Sequence, residues 1–187
     1  MSSRSLIAEL EEAINNSGPE KRLDTLRRVT DLFLGESERL NEHQIRVFDD
    51  LLVHLTQQVE AKALVQLSTC LARVDNAPLE TTRHLSRHEQ IGVAGPVLSN
   101  SNRLSDSDLI EVAKSRGQDH LLAISGRVSL QEAVTDVLIE RGNGQVHRAL
   151  AVNSGASSRK RAWRASYRNR KATKRFRNTW HCGAIYR

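Results

Sequence analysis

Apolar residues recur along this chain at the three- and four-residue spacing of amphipathic helices. Four stretches in the first half show it: Leu6, Leu10, Ala13 and Ile14; Leu23, Leu26, Val29 and Phe33; Ile45, Phe48, Leu52, Leu55 and Val59; and Leu64, Leu67, Leu71 and Val74. No stretch alternates with period two for long enough to form a strand. The pattern therefore predicts an all-α protein, with nine or ten helices between residues 5 and 156.

Polar residues mark where several of these helices should begin and end. The first stripe ends at residues 16–18, and Pro19 suits the first position of the next helix. Asn41 and Gln44 have the spacing of a capping box, in which each side chain satisfies the other residue's backbone N–H. These signals predict short helices joined by short loops.

From about residue 89 the segments resemble one another. Residues 97–105 align with residues 121–129, residues 149–156 begin a third copy, and each of the first two copies leads into a predicted capping box, at 105–108 and at 129–132. A repeat of about 24 to 28 residues is typical of stacked helix pairs, so it predicts a helical-repeat solenoid. An ordinary bundle with two similar hairpins is the alternative.

The two repeated helices should end and pack alike. Both end at Arg-Gly, Arg116-Gly117 and Arg141-Gly142, where glycine suits a left-handed C-cap. Stacked repeats must hide their apolar stripes on each other, so we expect Val134, Val137 and Leu138 to be buried against Leu109, Val112 and Ala113.

Four segments resemble a bacterial domain of unknown function, family 2336. They are residues 23–34 (LDTLRRVTDLFL), 91–98 (IGVAGPVL), 119–126 (DHLLAISG) and 132–142 (EAVTDVLIERG). The family is common in alphaproteobacteria and is similar to HEAT-type helical repeats. The resemblance covers about residues 5–156 and implies a HEAT-like fold and a cytoplasmic bacterial setting. It implies no reaction and no catalytic residues.

The composition changes abruptly after Ala156. Residues 159–187 contain eleven Lys and Arg but no Asp, Glu, Leu or Val, while the whole chain has a formal net charge of +6. The leucine-rich part before this tail is therefore net acidic. We predict a helical-repeat domain of residues 1–156 and a disordered basic tail of residues 157–187.

One interpretation of the tail is a nucleic-acid-binding arm. Basic side chains would neutralise phosphates and aromatic ones would stack on unpaired bases. The candidate contacts are Arg159, Lys160, Arg161, Trp163, Arg164, Tyr167, Arg168, Arg170, Lys171, Lys174, Arg175 and Phe176, with Trp180 as a further stacking residue. A second interpretation is an inert extension that binds polyanions without biological purpose.

The third interpretation, which we favour, is that the tail is read out of frame. The third repeat lacks its amphipathic helix, and an Arg-rich, Leu-free sequence is typical of GC-rich coding DNA read one base off. One back-translation of residues 180–187, shifted by a base, gives Met-Ala-Leu-Arg-Arg-Asp-Ile-Pro, an ending expected of the family. The last repeat would then be half-capped, with its apolar face around Leu150 and Val152 partly exposed.

Candidate catalytic and metal-binding residues are few. His84 and His88 could share a helix face, but a catalytic metal needs a third ligand and none follows, so we interpret them as solvated or cap-proximal histidines. Paired acids such as Asp49-Asp50 are expected on exposed helix faces. Cys70 lies on an apolar stripe and is predicted to be a buried thiol.

These observations favour binding over catalysis. No nucleophile, base and orienting group can be assembled, so we predict no enzyme, no cofactor and no metal. No apolar run suits a membrane span, and acids near Met1 argue against a signal peptide, so we expect a cytoplasmic protein. The predicted function is a scaffold for an unidentified protein partner, with nucleic-acid binding through the tail as the alternative.

Overall fold

A computed structural model describes residues 18–156, and these residues form nine α-helices joined by short loops. The helices are α1 (Pro19–Glu36), α2 (Glu42–Thr56), α3 (Ala61–Leu71), α4 (Leu79–Ser86), α5 (Ile91–Asn100), α6 (Asp106–Ser115), α7 (Gln118–Ser125), α8 (Glu132–Arg141) and α9 (Gly144–Val152). Within this range the extended pairing amounts to an isolated bridge between Leu130 and Ala156. The predicted all-α class is confirmed.

The helices stack in two layers. In one layer α3, α5, α7 and α9 pack in that order, while in the other α2 packs on α4 and α6 packs on α8. Helices that follow each other in the chain, such as α4 and α5 or α6 and α7, connect the layers. This arrangement is consistent with a helical bundle or solenoid.

Helix α5 joins two hydrophobic clusters. Its Val93 and Val97 belong to a cluster formed with α1 to α4, and its Ala94 and Leu98 belong to a cluster formed with α6 to α9. All four side chains are fully buried. Because a helix that is apolar on two sides must be covered on both, α5 is the centre of the stack.

The predicted packing of α8 on α6 is confirmed at its two central positions. Val134 and Leu138 are fully buried in the same cluster as Leu109 and Val112. Val137 lies at the edge of this cluster and is only partly buried. The apolar side of α8 therefore packs on α6, as the repeat pattern predicts.

Two of the predicted capping boxes are present. The Gln44 N–H donates to Asn41 Oδ1 at 2.9 Å, and the Asn41 N–H donates to Gln44 Oε1 at 3.0 Å. Ser105 and Asp108 make the same exchange at the start of α6. These caps follow from local sequence because both partners lie within one helical turn.

The third predicted capping box, at residues 129–132, is wrong. Helix α8 begins at Glu132 after Gln131, whose side chain makes no cap hydrogen bond. Leu130 is 3% exposed, and its backbone N–H donates to the Gly155 carbonyl at 3.0 Å. This pairing with the end of the described chain holds Leu130 outside the helix.

The predicted left-handed glycine caps are also wrong, since no residue between 18 and 156 has a positive φ. Gly117 is instead the N-cap residue of α7. At Gly142 an added Cβ would overlap the Leu138 carbonyl and lie 2.6 Å from Val146 Cγ1. Glycine at 142 therefore permits close packing of α8 and α9 and is not needed for its backbone angles.

Two further expectations about exposure need correction. Asp49 is buried, because its carboxylate caps α4, whereas Asp50 beside it is exposed as expected. Leu150 is fully buried in the second cluster, so the predicted exposure of this apolar face holds only for Val152, which is 85% exposed. Leu150 is therefore packed in the core even though α9 is the last described helix of the stack.

Candidate protein-binding surfaces

The predicted nucleic-acid contacts, from Arg159 to Phe176, all lie outside the described residues. So do Trp180, the predicted tail boundary beyond Ala156 and the frame-change interpretation. These predictions therefore stay predictions. The candidate surfaces consist of residues within 18–156.

His84 and His88 do not share a helix face, because α4 ends at Ser86. His88 Nδ1 accepts the Gln90 backbone N–H at 3.1 Å, and the His88 carbonyl accepts a hydrogen bond from His120 Nε2 at 2.9 Å. Burial lowers the pKa of His84, and the positive charges of His88 and Arg87 lower it further. In residues 18–156 no three His, Cys, Asp or Glu side chains are grouped so that they could hold a metal ion.

The layer that contains α4 and α6 presents a charged surface, the ion-paired face, formed by Glu80, Arg83, Arg87, Asp108 and Glu111. Arg83 Nε lies 3.0 Å from Asp108 Oδ1. Arg87 forms a bidentate pair with Glu111, at 2.9 Å from Nε and 2.8 Å from Nη2. These charges hold α4 against α6 and satisfy one another.

Asp108 is the most buried charge on this face. Burial alone would raise the pKa of its carboxyl group, but hydrogen bonds from the Ser105 hydroxyl and backbone N–H, with the positive charge of Arg83, outweigh burial and lower this pKa. The carboxylate therefore stays ionised and serves both the cap of α6 and the contact with α4.

Side chains also tie loops of the stack together at a fixed spacing. Arg103 Nε donates to the Ala77 carbonyl at 3.0 Å, Arg127 Nη2 to the Ser101 carbonyl at 2.8 Å, and Asn153 Nδ2 to the Arg127 carbonyl at 2.7 Å. Each pair is 26 residues apart. This spacing lies within the predicted repeat length. Burial lowers the pKa of the Arg127 guanidinium.

A polar cleft of about 540 Å³ lies between α2 and α4. Its inner polar groups already have partners: Asp49 caps α4, Asn76 Nδ2 donates to the Ser37 carbonyl, and Arg103 donates to the Ala77 carbonyl. Because these bonds connect loops to helices, the inner groups of the cleft serve the fold.

The opposite layer presents an uncharged strip, which we define as Val65, Gly92, Pro96, Ser99 and Ala123. Gly92, Pro96 and Ser99 share one side of α5, a helix with no charged residue in its ten positions. An added Cβ at Gly92 would lie 3.6 Å from Val65 Cγ2, and Ser99 Oγ donates to the Ala123 carbonyl at 3.1 Å. The strip therefore continues from α3 across α5 to α7.

A channel, the N-terminal groove, runs between α1 and α3 and is lined by both apolar and charged side chains. It consists of two adjoining cavities of about 420 and 330 Å³, which share Leu23, Arg27, Ala63 and Gln66 in their lining. Leu26 and Leu67 also line it, and Pro19 lies at the end where α1 begins. The groove thus extends to the start of α1.

Cys70 lines this groove and is exposed, so the prediction of a buried thiol is wrong. The buried side of α3 is formed by Ala63, Leu64, Leu67, Ser68 and Leu71. Near Cys70 the inward-facing residues of the helix are Ser68 and Leu71. The apolar spacing had predicted that Cys70 would face inward. A polar Ser68 inside the core is not a signal that hydrophobic spacing can detect.

Neither the strip nor the groove was predicted from the sequence. The strip consists of small and half-buried residues, which give no strong periodic signal, although the lack of charge along residues 91–100 was visible. The groove depends on how far apart α1 and α3 lie, and this distance is a property of the tertiary packing. Hydrophobic spacing identifies the helices but not the gaps between them.

Comparison with known proteins gives one family. No curated protein matches the chain. No solved structure matches it either. Residues 93–176 match the model of a family described as an uncharacterised protein conserved in bacteria (DUF2336), and this match begins in α5 and extends beyond Ala156. The predicted resemblance to this family is therefore confirmed over residues 93–176.

Proposed function

We propose that this chain is a non-catalytic helical-repeat scaffold that binds another protein through the uncharged strip. The observation that carries the proposal is the contrast between its two layers. One layer presents the ion-paired face, while α5 in the other layer presents Gly92, Pro96 and Ser99 without any charged residue. The setting we propose is the bacterial cytoplasm, which the family resemblance implies.

The chemistry of the strip indicates the kind of partner. The cores of protein interfaces are depleted of charged residues, because a charge must lose its hydration when the partner arrives. Val65, Pro96 and Ala123 are half-buried and Gly92 is exposed, so a partner backbone can approach closely. We therefore expect an apolar or small-residue segment to lie across α3, α5 and α7.

A charge placed on the strip tests this proposal. The Gly92→Glu/Pro96→Glu double variant adds two carboxylates there, and the space beside Gly92 accommodates a side chain in ordinary contact with Val65. Both changes raise helix propensity, so the fold should be kept. The measurement is affinity purification with quantitative mass spectrometry, followed by titration of the captured partner in purified form. We expect its affinity to fall at least about tenfold, because the partner would bury the new charges.

The matched control is Ser107→Glu/Ala133→Glu, which adds two carboxylates at exposed positions on the layer of α6 and α8. This control should bind the purified partner as the parent chain does. If both double variants lose binding equally, or if the strip variant loses none, the uncharged strip is not the binding surface.

Nucleic-acid binding is the second candidate, and the basic composition of residues 159–187 favours it. Titration of single-stranded RNA at several salt concentrations tests it, because phosphate contacts make affinity fall steeply with salt. The expected result is salt-sensitive binding by the whole chain that is lost when the chain ends at Ala156. Equal binding by both forms would contradict a role for the tail.

A further inference from the structure

We propose that the uncharged strip recognises its partner through the backbone carbonyl of Gly92. In this proposal the partner donates a hydrogen bond to that carbonyl from an aromatic side chain with a neutral donor, the indole of tryptophan or the phenol of tyrosine. The inference rests on the proposed function, because it concerns the same surface. The residue that carries it is Pro96, which lies inside α5 four positions after Gly92.

Pro96 leaves the Gly92 carbonyl without its helical hydrogen bond. In an α-helix each backbone carbonyl accepts the N–H of the residue four positions later. Proline has no backbone N–H, so position 96 of α5 cannot supply this donor. Gly92 is exposed and has no side chain to shield its carbonyl. The strip therefore contains a backbone acceptor that a partner can reach.

A second group on the same side of α5 is also an acceptor. Ser99 Oγ donates its only hydrogen to the Ala123 carbonyl at 3.1 Å, so the lone pairs of this oxygen remain for accepting. The carbonyl of Pro96 already accepts Asn100 Nδ2 at 3.0 Å. A partner that forms hydrogen bonds with the Gly92 carbonyl and with Ser99 Oγ must therefore supply the donors.

The surroundings of the Gly92 carbonyl favour a neutral aromatic donor. Helix α5 carries no charged residue, so a Lys or Arg bound there would lose its hydration without a carboxylate on α5 to compensate. Tryptophan and tyrosine combine a neutral donor with a broad apolar ring, and both are enriched at protein interfaces. Such a ring can lie on Pro96, because Gly92 leaves space beside it. Even an added Cβ at Gly92 would lie 3.6 Å from Val65 Cγ2, which is an ordinary contact.

This hydrogen bond would make the strip selective. In the free protein water satisfies the exposed carbonyl, and binding of a partner removes that water. An apolar ring without a donor would then leave the carbonyl unpaired, which weakens binding. The affinity of the strip should thus depend on the donor as well as on the ring.

Titration of the isotope-labelled full chain with a small probe tests this selectivity. The probe is N-acetyl-tryptophanamide, and its matched control is the analogue whose indole nitrogen is methylated, which keeps the ring and loses the donor. Nuclear magnetic resonance of the Gly92 carbonyl carbon follows binding. We expect the unmethylated probe to bind at least about threefold more tightly and to shift this resonance, because only this probe can donate a hydrogen bond from its ring.

A pair of variants tests the role of Pro96. Pro96→Ala supplies a backbone N–H that the Gly92 carbonyl can accept within the helix, so the preference for the unmethylated probe should disappear. Gly95→Ala is the control, since it raises helix propensity at the neighbouring position without changing the backbone donors. Its Cβ would lie at an ordinary 3.7 Å from Ile91 Cδ1. This control should keep the preference.

Three results with the probes would contradict the inference. They are equal binding of the two probes by the parent chain, a Gly92 resonance that neither probe moves, and a preference that survives in Pro96→Ala. The last result would mean that the indole donates to another group of the chain.

The partner captured for the proposed function separates the two proposals. We expect Pro96→Ala to weaken its binding at least about threefold and Gly95→Ala to leave it unchanged. If Gly92→Glu/Pro96→Glu loses the partner while Pro96→Ala binds it as the parent chain does, the inference fails and the proposed function stands. If the charged variant keeps the partner, the proposed function fails, and the probe titration alone then decides whether the Gly92 carbonyl binds aromatic donors.

Discussion

The carboxylate of Asp49 caps α4 by accepting from Thr81, a residue in the first turn of that helix and 32 residues later in the chain. Asp49 Oδ1 accepts the Thr81 backbone N–H at 2.7 Å and the Thr81 hydroxyl at 2.7 Å, and Oδ2 accepts the Glu80 N–H at 2.8 Å. Helix α4 follows Pro78, which offers no side-chain acceptor to its first turn. Asp49 therefore replaces the missing local cap and fixes α2 to α4.

Removal of this cap should destabilise the protein. We expect Asp49→Ala to lower the free energy of unfolding by about 2–3 kcal/mol, because it leaves the backbone N–H groups of Glu80 and of the buried Thr81 without their acceptor. Chemical denaturation measures the loss. Asp50→Ala, at the exposed neighbouring position, should change stability by no more than about 0.5 kcal/mol. Equal losses in the two variants would show that Asp49 does not act as a cap.

The two Arg-Gly sequences should respond differently to alanine. Gly142→Ala places a Cβ against the Leu138 carbonyl and 2.6 Å from Val146 Cγ1, so α8 and α9 must move apart. We expect a loss of about 1–3 kcal/mol, as for other overpacked sites. Gly117→Ala finds no atom within 4 Å and should cost much less. Thermal unfolding of the two variants side by side checks this, and a larger loss at Gly117 would be inconsistent with this packing.

The contact between α6 and α8 should contribute strongly to stability. Leu138 is fully buried, so Leu138→Ala should lower the free energy of unfolding by about 2–5 kcal/mol through lost apolar contact and the cavity left behind. Leu32→Ala removes the same atoms from a residue that is 62% exposed and should cost well under 1 kcal/mol. Denaturant titration compares them, and a loss below 1 kcal/mol for Leu138→Ala would rule out a core position.

The lowered pKa of Asp108 predicts how stability depends on pH. A carboxyl group with a lower pKa in the folded than in the unfolded chain stabilises the fold above its unfolded pKa of about 3.9, and this contribution is lost as pH falls through the folded pKa. At pH 7, Asp108→Asn should cost about 1.5–3 kcal/mol, because the charged hydrogen bond with Arg83 is lost. This difference from the parent chain should shrink as pH falls below about 4.

Urea titrations at pH 7, 5, 4 and 3 measure this difference. Asp106→Asn is the control, since Asp106 is exposed in the first turn of the same helix. Its effect should be smaller at neutral pH. A difference between Asp108→Asn and the parent that stays constant from pH 7 to pH 3 would mean that the Asp108 charge does not stabilise the fold.

What the sequence could predict were interactions within one or two helical turns. The spacing of Leu64, Leu67 and Leu71 predicted the buried side of α3, and the Asn41–Gln44 pair predicted the start of α2. Such features depend on the helical period and on partners three or four residues apart, which the sequence states directly. The resemblance to the family was likewise readable, and the segments 119–126 and 132–142 that suggested it lie within the matched residues 93–176.

The sequence by itself determined which segments form helices. Only the tertiary structure decided which polar groups form hydrogen bonds between helices and where gaps remain between them. Four features depend on how the helices stack side by side. They are the distant cap by Asp49, the outward position of Cys70, the late start of α8 and the uncharged strip. The two acceptors of Arg127, the Leu98 and Ser101 carbonyls, lie 29 and 26 residues away, distances along the chain at which hydrophobic spacing specifies no particular partner. Local periodicity fixes which side of a helix is apolar, whereas packing of the whole stack fixes what that side meets.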